Sequence, residues 1–503
     1  MSSSDMTRRR FFGTMVAGAA SGLLGAGVPS GALRLKIGVI SDIHITVSAS
    51  GGKPNTGKFI ETLNFFKKNG VDAVIVAGDL TNYGLMKELR QVAKAWYSVF
   101  PEDRDDSGKK VERIIVTGNH DTFYYTWQKG SKRVRAAEAQ TEGLMRDVRK
   151  NWQELFNEPF EPIFHRTVKG YSFIGAHWNE HFDGRLDGFL SERNSVLRNG
   201  KPFFYVQHAH PQNTVFGPWA WGSWSDYRGA ARKALNKYPN AIAFSGHSHW
   251  SLTDERDIWQ GEFTSVGTAS LSYVSMPNGR ENGSTDASEY FCRLPSIPSK
   301  SCQQGMLVSV WDDAVVLERY DCSNFEKLDE DWVLPVLQNE AVPHKYSHMV
   351  RAAESVAPQF PEGAKLKLDC VDGKDAKGED ERRLVVTFPS PKSTSWKDRI
   401  FDYEVKVEIE EDDTLRTWAT KRVYPHTPFR AIRHIPATAT CVFGECELPA
   451  IKHGWAADPF LRLVVTPFNC FGKAGRPLSV QYRSSLLSQN VKTAKKFKGK
   501  SPR

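Results

Sequence analysis

The sequence predicts an α/β domain, a sandwich of mixed sheets with flanking helices, followed by a smaller all-β sandwich. From about residue 34 to residue 335, short β-branched apolar runs alternate with longer amphipathic stretches, which is typical of α/β domains. From about residue 364 the apolar runs follow one another without helical stretches between them, which is typical of a β-sandwich. The chain of 503 residues is long enough for two or three domains with separate cores.

The composition excludes several classes of protein. With 40% hydrophobic and 25% charged residues, the chain is neither disordered, nor collagen-like, nor a disulfide-dense miniprotein. No stretch approaches 18 strongly apolar residues, which excludes a polytopic membrane protein, and we expect no stable membrane span. The net charge of +9 comes mostly from residues 1–32 and 491–503, so no folded basic face is indicated and no nucleic-acid partner is expected.

Residues 1–32 have the composition of a signal peptide. A charged start, Thr7-Arg8-Arg9-Arg10-Phe11-Phe12, precedes a weakly apolar, glycine-diluted segment and then small residues up to Ala32. The paired arginines followed by phenylalanine resemble a twin-arginine export signal, which implies export in the folded state to the periplasm or the outside of the cell. The alternative is a cytosolic protein with a frayed basic start.

The predicted elements of the first domain, residues 33–335, follow from hydrophobic periodicity. We expect helices over 58–69, 84–99, 132–156 and 226–238. The strands are expected at Leu35–Ile40, Val71–Ala77, Arg113–Thr117, Tyr171–Ala176, Pro202–Gln207, Ala241–Ser245, Met306–Trp311 and Ala314–Tyr320.

Residues 336–363, rich in Pro, Ala and Glu, predict a linker or docking segment. The β-sandwich is expected over 364–485, and a basic disordered tail over 486–503. The strands of the β-sandwich are expected at Lys365–Leu368, Arg383–Phe388, Phe401–Ile409, Thr414–Val423 and Leu461–Pro467. The runs Phe401–Val405 and Leu461–Asn469, the latter followed by Phe471-Gly472, resemble fibronectin type III strands.

The seven cysteines do not indicate a metal site. No two of them have Cys-x-x-Cys spacing, which excludes a zinc-finger site. Cys441 and Cys446 are close enough for a hairpin disulfide, but the sequence leaves the pairing open.

Side chains that can bind metals follow five of the predicted strands, at the point where each strand ends. Because the carboxyl ends of the strands in an open α/β sheet share one edge, we expect these side chains to converge there. Glycines 78, 118 and 246 suit tight turns out of the strands. The segments are Ser41-Asp42-Ile43-His44, Gly78-Asp79, Gly118-Asn119-His120-Asp121, His208 and Gly246-His247-Ser248-His249.

The donor types indicate the class of metal. Carboxylate, imidazole and amide groups without thiolates suit Mn, Fe or Zn and disfavour a structural zinc cage. The candidates are too many for one tetrahedral site, but they suffice for two sites if one carboxylate bridges them. That is the arrangement used for in-line displacement at phosphorus.

These five segments, in this order, resemble the calcineurin-like metallophosphoesterase superfamily over about residues 34–325. The resemblance implies the corresponding fold and two metal ions, divalent or trivalent, in one active site. It implies that His120 is a catalytic residue that is not a ligand, contacts the phosphoryl oxygens and protonates the leaving group. The implied ligands are Asp42, His44 and His249 for one metal, Asn119, His208 and His247 for the other, and Asp79 as the bridge.

Two positions near the predicted centre keep alternative interpretations. His210 follows His208 closely and is the alternative ligand, although the family pattern favours His208. Asp121 either orients a neighbouring group or has an ordinary turn or cap role.

The segment Gly78–Gly84 with Glu88 resembles the bacterial cyclic-nucleotide and glycerophosphodiester phosphodiesterase branch. This implies a small-molecule phosphoester substrate, with phosphodiesters favoured. Asn119 and His120 are expected to contact it.

Tryptophans are concentrated near the predicted site, in the loop after His208 and directly after His249. They either stack on a base or sugar or pack between the loop and the domain, and Trp221 is the candidate for substrate contact. His177 is expected to be a structural histidine rather than a substrate contact. The tryptophans concerned are Trp219, Trp221, Trp224 and Trp250.

The sequence therefore predicts an exported, dinuclear-metal phosphoesterase. The alternative from another class is a non-catalytic cell-surface binding protein that uses its β-sandwich. The natural substrate, the metals and the oligomeric state are open at this point.

Overall fold

The structure is a computed structural model, and it describes most of the chain. The described residues are 29, 31–47, 54–122, 148–178, 184–216, 226, 228–274, 302–337, 342–375, 377–411, 414–425, 429–445, 447–448 and 460–483. The predicted signal peptide, the basic tail, Trp219, Trp221, Trp224 and Cys446 lie outside the described residues.

The first domain contains two mixed β-sheets. The first sheet has the order β12-β11-β10-β1-β2-β3, with β13 also paired to β11. Its strands are β1 (Leu33–Ile40), β2 (Ala73–Ala77), β3 (Glu112–Val116), β10 (Gln304–Trp311), β11 (Ala314–Asp321), β12 (Glu326–Lys327) and β13 (Trp332–Pro335). Strands β1, β2 and β3 are parallel, and β10 runs antiparallel to β1.

The second sheet has the order β4-β5-β6-β7-β9-β8. Its strands are β4 (Ile163–Val168), β5 (Tyr171–Ala176), β6 (Phe203–Val206), β7 (Ala241–Ser245), β8 (Ile258–Gln260) and β9 (Thr264–Gly267). Strands β5, β6, β7 and β9 are parallel. Continuous apolar runs such as Ala73–Ala77 are buried along their whole length, as expected for parallel strands covered on both faces.

The hydrophobic core lies between the two sheets, and helices cover their outer faces. Residues such as Val39 and Ile75 of the first sheet share one cluster with Phe204 and Phe244 of the second. Helix α1 buries Phe59, Leu63 and Phe66, which have helical spacing. The helices are α1 (Gly57–Lys68), α2 (Met86–Val99), α3 (Asn119–Thr122), α4 (Val148–Phe156), α5 (Arg185–Glu192), α6 (Asn194–Leu197) and α7 (Ala230–Leu235). The predicted fold class is confirmed.

One expectation about the strand ends is wrong. The metal-capable segments do not follow the strands of one sheet, because β1, β2 and β3 belong to the first sheet and β6 and β7 to the second. The site therefore lies where the carboxyl ends of the parallel strands of both sheets meet. Apolar periodicity could not reveal this division, since it reports burial and not the partner sheet.

Several element boundaries also differ from the predictions. The helix expected over 132–156 is described only as α4, with residues 123–147 outside the described part, and the helix expected over 226–238 is confined to α7. Strands β4, β8, β9, β12 and β13 are additional to the predicted ones. Strands β8 and β9 escape a periodicity search because they are three and four residues long.

The C-terminal region contains two packed antiparallel sheets around a core of their own. The sheets have the orders β14-β15-β18 and β17-β16-β19-β20. The strands are β14 (Lys367–Lys374), β15 (Asp380–Pro389), β16 (Asp402–Glu411), β17 (Thr414–Val423), β18 (Thr438–Gly444), β19 (Phe460–Phe468) and β20 (Leu478–Arg483). This is the predicted all-β sandwich, with β18 and β20 in addition to the expected strands.

The β-sandwich is docked on the first domain. Phe401, Tyr424 and Phe429 belong to the same hydrophobic cluster as the core between the first two sheets. The predicted linker contains helix α8 (His348–Glu354), and Ser355 just after it accepts a hydrogen bond from Asn469 of the sandwich. The helices in the described part of the chain are each too short or too polar to span a bilayer.

Candidate metal centre

The loops after β1 and β2 run side by side beyond the strands and carry three of the predicted ligands. The amide of Asp42 donates to the carbonyl of Gly78 at 2.9 Å, and the amide of His44 donates to the carbonyl of Asp79 at 3.0 Å. These bonds extend the parallel pairing of β1 and β2 past the end of the sheet. They hold the side chains of Asp42, His44 and Asp79 at fixed spacing.

Five of the predicted ligands have left-handed backbone conformations. The φ angles are 50° for Asp42, 45° for His44, 50° for Asp79, 73° for His247 and 53° for His249. Such conformations are costly for residues other than glycine and cluster at functional sites, where the surrounding structure must hold them. The fold therefore holds these five residues in strained backbone conformations, which direct their side chains inward.

Two glycines leave the room that the carboxylates occupy. A Cβ on Gly118 would lie 2.1 Å from Asp79 Oδ1, and a Cβ on Gly246 would lie 2.3 Å from Asp42 Oδ2. The sequence predicted that these glycines suit tight turns, and the structure shows that they also make room for the carboxylates of Asp79 and Asp42.

The first group of donors contains Asp42, His44 and His249. Their candidate ligand atoms all lie within 4.8 Å of one another. His249 Nε2 is 3.0 Å from Asp42 Oδ1 and 3.2 Å from His44 Nε2. All three residues are buried, and the carbonyl of Tyr273 lies 2.8 Å from Nδ1 of His249, which leaves Nε2 directed at the group.

The second group contains Asp79, His208 and His247, again within 4.8 Å of one another. His208 Nε2 is 3.2 Å from Asp79 Oδ2 and 3.1 Å from Asn119 Oδ1. His208 Nδ1 lies 2.7 Å from the carbonyl of Ala77, an arrangement like that of His249. Asn119 thus stands beside this group, as the resemblance implies.

Asp79 lies between the two groups. Its Oδ2 is 3.7 Å from His44 Nε2 on one side and 3.2 Å from His208 Nε2 on the other. With 1% of its surface exposed, it is shielded from bulk water. A carboxylate in this position can contribute to two cation sites at once.

Three histidines, His44, His120 and His208, have Nε2 within 4 Å of Asp79 Oδ2, and His120 is the most exposed of them. Its Nε2 is 3.9 Å from Asp79 Oδ2, and its side chain is 22% exposed. Its Nδ1 lies 3.0 Å from the carbonyl of Asn82, and because a carbonyl only accepts, Nδ1 is the donor in this contact. Geometry alone does not separate His120 from the ligands, since His44, Asp79 and His120 also form a group within 4.8 Å.

The carboxylates and imidazoles shift one another's pKa values. Burial alone would raise the pKa of Asp42, but His249 and His208 lower it to about 2. Burial alone would lower the pKa of His208, but Asp79 and Asp42 raise it to about 9. Since a histidine must lose its proton to bind a metal, cation uptake here competes with protons and is favoured by rising pH.

The neighbouring histidines behave differently. Burial lowers the pKa of His44 to about 3 and the pKa of His247 well below its ordinary value. These two imidazoles are neutral near pH 7, which is the form that coordinates a metal.

The structure also separates the alternatives that the sequence left open. His208 lies in the second group, whereas His210 is fully buried between the hydroxyls of Ser245 and Ser248, at 2.6 Å and 2.8 Å. Asp121 accepts hydrogen bonds from the amides of Leu80, Thr81 and Gly118, so it ties the loop after β2 to the loop after β3.

The aromatic candidates divide in the same way. His177 is buried, its Nδ1 accepts from the amide of Thr117, and it packs against Trp152 and Phe160, so it is structural. Trp250 is 1% exposed and packs against Phe216, which makes it a packing residue. Trp221 lies outside the described residues, so its role stays a prediction.

The sequence reasoning missed the segment Thr268–Val274, which follows β9. Ser270 Oγ donates to the carbonyl of Asp42 at 3.2 Å, and the amide of Ser272 donates to the same carbonyl at 3.0 Å. Thr268 donates to Ser41, whose hydroxyl lies 2.5 Å from Asp42 Oδ2. The signal in the sequence is Thr-Ala-Ser-Leu-Ser-Tyr directly after strand β9. That strand has only four residues, which is too few to be predicted from periodicity.

Two aromatic rings stand beside the two donor groups. Tyr273 is 38% exposed, and its ring centroid is 4.3 Å from that of His249. Beside the second group, the ring centroid of Trp178 lies 5.7 Å from that of His208 and 5.6 Å from that of His247. The donors therefore have a tyrosine ring on one side and a tryptophan ring on the other.

The donor set fits a pair of metal ions. The two groups consist of buried and half-buried carboxylate and imidazole donors, and the Asp79 carboxylate of the second group also faces His44 of the first. Asn119 adds an amide oxygen to the second group. This chemistry suits divalent or trivalent ions such as Mn, Fe or Zn.

Comparison with known proteins agrees with this chemistry. Residues 35–251 match the family described as calcineurin-like phosphoesterase. A search among curated proteins finds no sequence that matches the chain.

Among solved structures, a dimetal phosphatase from Danio rerio is 10% identical with a TM-score of 0.35, covering 61% of this chain and 100% of its own. A conserved protein from Streptococcus pneumoniae, described as a predicted phosphoesterase, is 13% identical with a TM-score of 0.25, covering 60% and 97%. Vacuolar Protein Sorting 29 from Cryptosporidium parvum is 10% identical with a TM-score of 0.27, covering 61% and 100%.

The chain thus contains a calcineurin-like phosphoesterase domain at residues 35–251. The protein is accordingly a metal-dependent phosphoric ester hydrolase, and the sequence-based prediction of the enzyme class is confirmed.

Proposed function

We propose that the protein is an exported phosphodiesterase that uses two metal ions to hydrolyse a small-molecule phosphodiester. The observation that supports this most is the position of Asp79, whose Oδ2 lies within 3.7 Å of imidazole nitrogens from both donor groups. A shared carboxylate between two ions is the arrangement suited to in-line displacement at phosphorus.

In this proposal each half of the site holds one ion. The proposed ligands are Asp42, His44 and His249 on one side, Asn119, His208 and His247 on the other, and Asp79 between them. When bound, the ions lower the pKa of a shared water and neutralise the charge of the phosphoryl oxygens. Mn, Fe and Zn all suit these donors.

The protein's own residues then orient the ester and move a proton. The amide of Asn119 and the ring of His120 lie at the mouth of the site, and both are partly exposed. Because Nδ1 of His120 donates to the Asn82 carbonyl, a doubly protonated His120 ring would deliver its proton to the leaving oxygen from Nε2. In that form Nε2 could also donate a hydrogen bond to a phosphoryl oxygen, and Trp221 remains the proposed additional contact.

The first experiment is a hydrolysis assay with the purified full-length protein and a panel of phosphomonoesters and phosphodiesters. We expect cleavage of diesters, loss of activity after chelation, and recovery when Mn²⁺, Fe²⁺ or Zn²⁺ is restored. The metal content should approach two ions per chain. No metal-dependent cleavage across the panel would favour the alternative, a cell-surface protein that binds through its β-sandwich.

Export by the twin-arginine route is a separate part of the proposal and rests on residues 7–32. We expect the double substitution Arg8→Lys and Arg9→Lys to leave the precursor inside the cell, whereas Lys36→Arg should not alter export. Immunoblots of cell fractions measure this. Normal processing of the double variant would show that the protein uses another route or none.

We also propose that residues 364–485 are a fibronectin type III-like domain. The three-stranded and four-stranded antiparallel sheets support this assignment. They add to the resemblance of Phe401–Val405 and Leu461–Asn469 to strands of that domain.

A further inference from the structure

The chain that follows His249 runs directly into the contact between the two domains. Residues 249–260 are all buried. His249 is itself held in a left-handed conformation, with φ of 53°. Residues that pack against this segment therefore affect the position of the His249 imidazole.

The side chain of Gln304 connects this segment to the β-sandwich. Its Oε1 accepts a hydrogen bond from the amide of Leu252 at 2.8 Å, and its Nε2 donates to the carbonyl of Phe429 at 2.8 Å. The amide of Gln304 donates to the carbonyl of Ser270 at 2.9 Å. One fully buried residue thus joins the segment after His249, the segment 268–274 and the C-terminal domain.

Arg256 makes a second connection. Its guanidinium carbon lies 3.7 Å from the centroid of Phe216 and 5.1 Å from that of Phe401, which belongs to the sandwich. The guanidinium carbon also lies 5.5 Å from the ring centroid of Trp250, the residue directly after His249. Asp254 holds the guanidinium with hydrogen bonds of 2.9 Å and 2.6 Å, so the stack is fixed in place.

Glu255 makes a third connection, this time through the predicted linker. It accepts hydrogen bonds from Arg319 at 2.8 Å, from Trp332 at 2.9 Å, and from Arg351 of α8. Arg351 in turn stacks on Trp396 of the sandwich, 3.3 Å from its centroid. Removing one partner of such a buried charged cluster is costly because it leaves the others unpaired.

We propose that the C-terminal domain is a structural part of the metal centre and positions His249 through Gln304, Arg256 and Glu255. This inference rests on the proposed function, because it concerns the half-site formed by Asp42, His44 and His249. The domain is then neither a spacer nor an independent binding module. Gln304 is a positioning residue, since it acts on the site through the backbone of residues 250–252 and 270.

The experiment compares three full-length variants by titration with Co²⁺, whose visible absorption reports its ligand geometry. Gln304→Met keeps the volume of the side chain and removes its hydrogen bonds. Phe401→Ala removes the ring against Arg256, and Phe401→Leu replaces it if the alanine variant does not fold. The control is Phe388→Ala, which opens a cavity next to Tyr403 inside the sandwich core, away from the first domain.

We expect Gln304→Met and the Phe401 variant to raise the dissociation constant of one of the two Co²⁺ ions about tenfold or more, as supporting contacts of metal ligands do. The absorption band affected should be the one that His249→Ala abolishes. Phe388→Ala should lower the melting temperature of the chelated protein without changing either constant.

A Co²⁺ affinity that is unchanged in Gln304→Met, or that falls in proportion to the melting temperature in all three variants, would overturn the inference. The wild type would in both cases still bind two ions and hydrolyse esters. Wild-type protein that binds no Co²⁺ would instead refute the proposed function.

Discussion

Replacing Asp79 with asparagine should lower kcat/KM for a phosphodiester by about 10³–10⁴-fold, because metal charge stabilisation contributes several kcal/mol to the transition state. The amide has nearly the same shape as the carboxylate but lacks the negative charge that faces both donor groups. Because Asp79 is buried, bulk solvent cannot compensate for the lost charge. Steady-state kinetics measures the loss of kcat/KM, and metal analysis of the same preparation measures the number of ions that the variant holds.

The matched control is Asp106→Asn, because the side chain of Asp106 is 82% exposed and lies at the surface beside Lys67. This variant should retain full activity and metal content, as is usual for exposed ion pairs. Asp79→Asn protein that holds two ions and keeps near-normal turnover would contradict the bridging role.

Replacing His120 with asparagine should lower kcat by about 10²–10⁴-fold, the range in which a positioned acid or base contributes, and leave the metal content unchanged. The effect should be larger for an alkyl leaving group than for p-nitrophenolate, because a good leaving group needs no proton. Turnover of two diesters that differ only in the leaving group measures this dependence.

His434→Asn is the corresponding control, since His434 is exposed and its Nε2 lies 2.9 Å from Glu326 Oε2, away from the donor groups. Loss of one equivalent of metal in His120→Asn would instead make His120 a ligand, through the group that it forms with His44 and Asp79. An equal effect on both leaving groups would assign His120 to the phosphoryl oxygens and not to the leaving oxygen.

Much of the first domain could be predicted from hydrophobic periodicity. The strands that end at Ile40, Ala77 and Ser245 lie where the apolar runs predict them, because a buried parallel strand needs a continuous apolar run. Short strands such as Thr264–Gly267 were missed because four residues do not establish a period. With β9 unrecognised, the contacts of Thr268 and Ser270 to the loop of Asp42 were missed as well.

The contact between the domains could not be predicted either. The stretch 336–363 indicated a linker by its composition, whereas helix α8 inside it carries Arg351 into a buried cluster with Glu255. Composition reports the local preference of the chain, and this cluster depends on residues nearly one hundred positions apart. Such pairs become visible only when the fold brings them together.

The sequence by itself determined the chemistry of the site: which donors are present, in what order, and that each directly follows an apolar strand, since strand ends and glycine turns leave a local pattern. Only the tertiary structure decided that the donors come from two sheets, that His208 and not His210 faces Asp79, and that the β-sandwich contacts the segment after His249. These features depend on burial, on left-handed backbone conformations and on hydrogen bonds between distant residues. No local pattern encodes them, because their energies arise from packing between parts of the chain that are far apart in sequence.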